Sequence, residues 1–263
     1  MIKFFRKIRQ NLLTENKFGR YLTYAIGEII LVVIGILIAL SINNWNENLK
    51  NKKLETSYLK RIYKDLDNDL LDYEGTSELA RERNERVLFL EQAVKDKQLA
   101  EKSPDYFIKS IAYAGYTYTP AISNHSFEEL KSSGRLELIN NEDLRISIAK
   151  YYDFEFSYSQ FEFIKEDVQL KYNEYSRGIL NQEQLNWVLT TYNLPDSVSN
   201  ISKKELDGIY QRFLSKKQLH SILPYVFESK HDFIESMGYS KKRAQKLKQE
   251  IQNELKGISK MKK

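Results

Sequence analysis

An uninterrupted apolar run close to the N-terminus limits what this chain can be. Residues 21–42 read YLTYAIGEIILVVIGILIALSI and contain one charged residue, Glu28. As a helix, this run extends about 33 Å, which matches the roughly 30 Å hydrocarbon core of a bilayer. Leu, Ile and Val fill residues 29–40 apart from Gly35 and Ala39, so no polar face remains for a globular amphipathic helix. The run predicts a transmembrane helix.

The flanks of this run favour an uncleaved anchor over a signal peptide. Tyr21, Tyr24 and Trp45 stand where aromatic residues gather at membrane interfaces. The sequence of residues 39–41, Ala-Leu-Ser, resembles a signal-peptidase site. The apolar run is nevertheless long, its charged leader is long, and Glu28 interrupts it, so we expect the span to be retained.

Basic residues before the span predict its orientation. Residues 1–20 place apolar Phe5, Ile8 and Leu12 at helical spacing among basic residues, which is typical of a short amphipathic helix on an anionic leaflet. Within about fifteen residues of the span, five Lys or Arg precede it and three follow it. This bias predicts a cytoplasmic N-terminus and a main domain on the other side of the membrane.

Helical patterning continues through the rest of the chain. Apolar residues recur every three or four positions over 49–74 and 77–98, and Gly75 is expected to separate the two helices. The longest predicted element covers 142–177, and its regular apolar stripe is typical of the central helix of a bundle. The predicted fold class is all-α: one N-terminal transmembrane helix followed by an antiparallel helical bundle with a long central helix.

Capping residues mark the joints between the predicted helices. Pro224 is expected to interrupt or kink the last helix, and Gly238 to close it. Gly134 is expected to end the short helix before it, and residues 116–123 to form an extended loop. Four helices are predicted to begin at N-caps of recognisable type, which are Ser103, Ser126, Asn181 and Ser202.

Charge divides the chain into parts. Segments 1–20 and 240–263 carry net charges of +5 and +7, whereas the body between them carries −7. We expect a basic cytoplasmic segment over 1–20, the span over 21–42, a helical extracytoplasmic domain over 43–239, and a basic tail over 240–263. The tail is charged nearly all round, which predicts a solvated or partly frayed helix. Because the body is acidic and lacks a nucleic-acid-binding motif, no nucleic-acid partner is expected.

Five residues of the span form a candidate helix-association seam: Ala25, Glu28, Val32, Gly35 and Ala39. They recur at three- and four-residue intervals, and Gly35-x-x-x-Ala39 is a small-x-x-x-small pair that permits close helix approach. A protonated Glu28 could donate a hydrogen bond across such an interface, in a homo-oligomer or with another membrane protein. The alternative is that Glu28 is protonated in lipid or reaches the cytoplasmic headgroups.

A second candidate site is the polar segment 125–145. His125, Lys131, Arg135 and Arg145 could form a corner that binds an anionic ligand near a helix N-terminus. The competing interpretation, which the sequence favours, is that neighbouring Ser and Asn residues cap helices and the basic residues are solvated.

The remaining chemistry of the sequence is sparse. There is no cysteine, and three histidines lie scattered along the chain. Nucleophile-elbow, phosphate-loop and dinucleotide fingerprints are absent from the sequence. We therefore expect no catalytic residues, no metal ligands and no cofactor.

Two blocks carry a resemblance to a known group of proteins. They are residues 1–47, MIKFFRKIRQNLLTENKFGRYLTYAIGEIILVVIGILIALSINNWNE, and residues 126–145, SFEELKSSGRLELINNEDLR. Both resemble an uncharacterised family of membrane-anchored proteins of Bacteroidota, and the likeness extends more weakly beyond residue 180. The resemblance implies a bacterial inner (cell) membrane, one N-terminal span and a helical domain, which the charge bias predicts to be periplasmic. It implies no activity.

Three functions follow as expectations. The first is a non-enzymatic interaction or scaffolding protein of the envelope, with the lipid bilayer as its constant partner. The alternative is a membrane-tethered sensor or ligand-binding domain that uses the 125–145 corner. A hydrolase of envelope polymers comes third, because no nucleophile, base and orienting group can be assigned.

Overall fold

The computed structural model describes the backbone of residues 18–157, 159–191 and 201–260. Side-chain environments are described for 22–23, 25–154, 167–191 and 201–260. The predictions made for residues 1–17 lie outside the described residues.

The described residues form nine α-helices and one 3-10 helix and contain no strand, which confirms the all-α prediction. The 3-10 helix covers Leu136–Leu138. The α-helices are α1 (Phe18–Lys95), α2 (Lys97–Lys102), α3 (Pro104–Tyr113), α4 (His125–Ser132), α5 (Glu142–Ser157), α6 (Ser159–Ser176), α7 (Gln182–Thr190), α8 (Lys203–Ser215) and α9 (Lys217–Lys260).

The chain divides into two compact units, the first ending at Ser57 and the second beginning at Tyr58. In the first unit, the large apolar side chains from Leu22 to Ile42 are 46–69% exposed. None of the most apolar stretch of α1 is buried. Within the described part of the chain, α1 is the one helix that is long and apolar enough to cross a membrane.

The second unit is an antiparallel helical bundle built on α9. Helices α1 and α9 run antiparallel. Lys241 of α9 forms an ion pair with Glu74 of α1, whereas Lys248, further along α9, forms one with Asp67, which lies earlier in α1. Helix α9 also packs against α5 and α6. These two helices occupy the predicted central element 142–177, with Tyr158 between them outside the described residues.

Two separate apolar clusters fill the bundle. The first cluster joins residues 58–80 of α1 to α4, α5 and the C-terminal half of α9, with Leu59, Phe127 and Ile251 among its members. The second cluster joins residues 87–93 of α1 to α2, α3, α6–α8 and the N-terminal turns of α9. Aromatic contacts strengthen both clusters: the rings of Phe127 and Tyr152 stack at 4.5 Å, and those of Phe107 and Phe213 meet edge to face at 5.3 Å.

Three expected helix breaks are absent from the structure. Helix α1 continues through Gly75, and α9 continues through Pro224 and Gly238. A glycine inside a helix costs about 1 kcal/mol relative to alanine, which is less than the burial of a single large apolar side chain provides. Pro224 lies exposed in the eighth position of α9, between buried Leu223 and buried Val226. Tertiary packing therefore outweighs these local signals.

The basic tail also differs from expectation. Residues 240–260 continue α9 as a regular helix, and the prediction of a solvated or frayed tail is wrong for them. Ala244, Leu247, Ile251 and Ile258 are buried in the first apolar cluster. They recur at three-, four- and seven-residue intervals, so a narrow apolar stripe lies among the charges.

Most predicted caps are present. Asn181 and Gln184 form a complete capping box, the Ser202 side chain accepts from the amide of Glu205, and Pro104 is the first residue of α3. Ser103 occupies the N-cap of α3 without a side-chain capping bond. Ser126 is not a cap: it is buried inside α4, and Asn124 occupies the N-cap, also without a side-chain capping bond. Residues 116–124 are non-helical, as predicted.

Candidate functional site

The five seam residues share one face of α1, because intervals of three and four residues return to the same side of a helix. Val32 is 58% exposed, and Gly35 and Ala39 are exposed too. A Cβ atom added at Gly35 would meet no heavy atom within 4 Å. Ala25 and Glu28 are half-buried. The face is thus exposed at Val32, Gly35 and Ala39.

The four residues of the predicted corner lie on three different elements. His125 begins α4 and Lys131 is in its last turn, Arg135 precedes the 3-10 helix, and Arg145 lies in α5. The Lys131 ammonium is 3.9 Å from the carboxylate of Glu128 and lies over the Phe127 ring. Arg145 donates a hydrogen bond of 2.9 Å to the carbonyl of Ile139. Lys131 and Arg145 thus each contact protein groups close to them in the sequence.

The turn after α4 explains the density of polar residues in this segment. Gly134 has φ +67°, the amide of Gly134 donates to the carbonyl of Lys131, and the amide of Arg135 donates to the carbonyl of Leu130. This pattern is a Schellman motif, which favours glycine at its left-handed position. Asn141 then caps α5, with its side-chain oxygen accepting from the amide of Leu144.

Glu129, next to the corner, is a junction that sequence reasoning missed. Its carboxylate accepts hydrogen bonds from Tyr58 at 2.8 Å and from Arg61 at 2.5 Å. The hydrogen bond from Arg61 is the largest of the effects that lower the pKa of this exposed carboxyl. Glu129 therefore holds α4 against the start of the second unit as a carboxylate.

A buried polar layer separates the two apolar clusters. It consists of Arg83 and Asn84 of α1, Lys230 of α9, and Gly115 and Thr117 of the loop after α3. Arg83 is 1% exposed and Lys230 is 2% exposed. Along both α1 and α9, apolar residues of one cluster stand before these positions and apolar residues of the other follow.

Lys230 occupies the middle of the polar layer. Its ammonium lies 3.4 Å from the carbonyl oxygen of Gly115 and 3.4 Å from the hydroxyl oxygen of Thr117. The amide of Thr117 in turn donates to the side-chain oxygen of Gln169 in α6. Burial, with a smaller contribution from the nearby charge of Arg83, lowers the pKa of Lys230 to about 7. The layer thus contains a group that changes charge near neutral pH.

A second buried network lies inside the first apolar cluster. The carboxylate of Asp69 accepts hydrogen bonds of 2.7 Å from the amide of Ser123 and 2.7 Å from the hydroxyl of Tyr151. The Tyr151 and Tyr73 hydroxyl oxygens are 2.9 Å apart. Burial, followed by its contacts with Tyr73 and Asp69, raises the pKa of Tyr151, so this hydroxyl stays a donor. The network fixes the loop before α4 between α1 and α5.

The described histidines and carboxylates are the remaining candidates for metal or acid–base chemistry. In the part of the chain that the structure describes, no group of three or more His, Asp or Glu is placed to hold a metal ion. A ring nitrogen of His220 lies 3.0 Å from the carbonyl oxygen of Phe213, and His231 lies 3.8 Å from Glu235 on the same helix. Each of these two histidines thus contacts a residue that lies nearby in the sequence.

Comparison with known proteins gives one family and no relative of known activity. Residues 28–200, about two thirds of the chain, match DUF6090, a family of unknown function. None of the curated proteins and none of the solved structures matches significantly. The matched region begins at Glu28 inside the apolar run and includes the polar segment 125–145. The chain therefore belongs to DUF6090.

Proposed function

We propose that this protein is a membrane-anchored helical interaction or scaffolding protein of the bacterial envelope. Exposure of the apolar run in α1 is the observation that carries this proposal. Thirteen large apolar side chains between Leu22 and Ile42 are about half exposed or more. Burying one such side chain contributes about 1.5–3 kcal/mol, so a chain that left all of them in water would lose a large stabilisation.

The distribution of these side chains favours lipid over a protein partner as their main cover. They point to all sides of the helix, whereas a docked protein covers one side. A bilayer covers every side over a length of about 20 residues. In our proposal the span covers residues 21–42, and the excess of Lys and Arg before it places residues 1–20 in the cytoplasm and the second unit in the periplasm.

The scaffolding role rests on what the second unit contains. Its buried polar groups serve packing and loop attachment, and Glu129, Asn141 and Arg145 link or cap helices. A helical bundle with such rigid joints is suited to present surfaces to other envelope proteins. The seam of the span is the proposed contact inside the membrane, and the polar corner is not part of this proposal.

Membrane fractionation tests the anchor. The full-length chain should remain with membranes after alkaline carbonate and high-salt washes and should be released by detergent. The double variant Leu31→Lys with Leu37→Lys should release much of the chain from the membrane, because each Lys in mid-span costs about 3 kcal/mol of insertion free energy. Leu71→Lys with Leu170→Lys is the matched control, since both leucines are exposed outside the span.

Crosslinking in intact cells tests the interaction role separately. We expect discrete crosslinked species that survive detergent extraction. If the washed membranes retain the chain but no crosslinked species forms at any crosslinker length, the anchor stands and the scaffolding role is refuted. Release of the wild-type chain by carbonate would refute the anchor itself.

A further inference from the structure

The second unit contains an open groove between α1 and α9, distinct from the seam and from the polar corner. Its volume is about 340 Å³. This volume lies at the small end of the 300–1,000 Å³ that is typical of ligand sites in proteins. The floor is apolar, formed by Ile234 and Met237, and the walls carry charged residues of both helices.

A glycine of α9 borders open space in the groove. Gly238 lines the groove, and a Cβ atom added at this position would meet no heavy atom within 4 Å. In a helix interior, alanine is more stable than glycine by about 1 kcal/mol. Glycine therefore costs stability here and leaves space beside half-buried Ile234, above buried Met237.

The walls of the groove are cationic. Lys241 is paired with Glu74, and its hydrogen bond and charge lower the pKa of that carboxyl. The guanidinium of Arg81 is 4.0 Å from Glu74, beyond hydrogen-bonding distance, and Lys242 lies over the Tyr239 ring. Three cations thus face one carboxylate among the lining residues, an excess of two positive charges.

We propose that this groove binds an organic anion, a carboxylate or phosphate with a small apolar group. The anionic group lies against Arg81 and Lys242, and the apolar group lies on Ile234 and Met237. A guanidinium offers two parallel N–H donors that match a carboxylate or phosphate, and the lysine adds a point charge. This inference does not depend on the membrane anchor, because no residue of the span takes part.

Titration of the full-length protein in non-ionic detergent with phenyl phosphate tests the site. Binding measured by calorimetry should be saturable with one site per chain, and inorganic phosphate should bind about tenfold more weakly because it leaves the apolar floor uncovered. Absence of saturable phenyl phosphate binding would overturn the proposal. Equal affinity for inorganic phosphate would overturn the role of Ile234 and Met237.

Two pairs of variants locate the binding. Gly238→Leu fills the groove and should weaken phenyl phosphate binding about tenfold or more. Gly257→Leu is the control and should leave this binding unchanged. Gly257 lies in the same helix but outside the groove, and it also has no heavy atom near an added Cβ. Arg81→Gln should lower the affinity about tenfold, and Arg177→Gln, an exposed position outside the groove, should leave it unchanged.

Helicity and unfolding temperature provide the folding control, because leucine is a better helix former than glycine and Gly238→Leu should be at least as stable as wild type. Wild-type affinity in folded Gly238→Leu would refute the site. Phosphatidylglycerol added to the micelles separates two sources of the anion. Competition with phenyl phosphate indicates a lipid headgroup, and its failure to compete indicates a soluble anion.

Discussion

At Lys230 a charged side chain lies where the two apolar clusters meet, and Arg83 adds a second buried cation from the opposite helix. Neither position could be identified from the sequence. Lys230 stands between Val226 and Phe233 at helical spacing, so it occupies a core position of α9. A charged residue at such a position is ordinarily assigned to the solvated face, and only the packing of α9 places it inside.

The structural role of Gly115 likewise could not be identified from the sequence. A Cβ atom at this position would come within 2.1 Å of the Tyr172 ring, which is fully buried against the loop. The requirement for glycine therefore arises from a tertiary contact with α6, more than fifty residues away in the chain. The sequence predicts a loop here and gives no sign of the close approach.

Lys230→Met should stabilise the protein at neutral pH. The folded-state pKa of about 7 lies below the ordinary value of 10.5, so between these values the unfolded chain holds a proton that the folded chain lacks. Wild-type stability therefore rises by about 1.4 kcal/mol per pH unit above pH 7 and loses this dependence below it. We expect Lys230→Met to be more stable by about 2 kcal/mol near pH 7; at about 1.4 kcal/mol per pH unit this gap should close between about pH 8 and 9 and reverse at higher pH.

Urea unfolding of the detergent-solubilised full-length chain, followed by circular dichroism from pH 6 to 10, measures this gap. The charged groups around Lys230 include Arg83, which stays protonated across this range. Tyr113 and Tyr172, which lie close to Arg83, have raised pKa values and stay neutral. Lys256→Met, at an exposed position of α9, should show no such pH dependence. A constant gap between wild type and Lys230→Met would contradict the lowered pKa.

At the scale of elements, the apolar stripes predicted most of the helices, whereas the helix ends predicted from glycine and proline at Gly75, Pro224 and Gly238 were wrong. Buried residues at Leu59, Ile62, Leu66 and Tyr73 in α1 recur at three-, four- and seven-residue intervals. The stripe of α9 from Ala244 to Ile258 has the same spacing, as in paired helices of a coiled coil. Pairing of two long stripes explains why α1 and α9 continue through residues that would end an isolated helix. The stripe of α9 was missed because charged residues outnumber its apolar ones.

The seam of α1 makes a prediction at this scale. Gly35→Leu should block close helix approach, and Glu28→Ala should remove an interhelical hydrogen bond, so each should weaken association of the span about tenfold. Crosslinking of the full-length chain in membranes measures the associated fraction against expression level. Gly27→Leu is the matched control, because Gly27 lies in the same span on another face and has no heavy atom near an added Cβ. If all three variants associate like wild type, Glu28 and Gly35 have no part in association.

At the scale of the whole molecule, the helical periodicity of apolar residues and one long apolar run were enough to predict an all-α chain with a candidate span. The function could not be predicted, because neither signature motifs nor relatives of known activity provide one. The groove beside Gly238 was missed for a physical reason. Arg81 and Lys242 are 161 residues apart in the sequence and lie on the same groove only because α1 and α9 run antiparallel.

The orientation of the chain gives the last prediction. Five Lys or Arg before the span and three after it favour a cytoplasmic N-terminus, so external protease on spheroplasts should digest the second unit and leave residues 1–20 intact. Epitope tags at the two ends report the two fates separately. Changing Asn43, Asn44 and Asn46 to Lys reverses the excess of basic residues and should protect the second unit in a substantial fraction of molecules. The same three positions changed to Gln, which adds no charge, should leave the digestion pattern unchanged. Full protection of the second unit in the wild type would place it in the cytoplasm and contradict the proposed orientation.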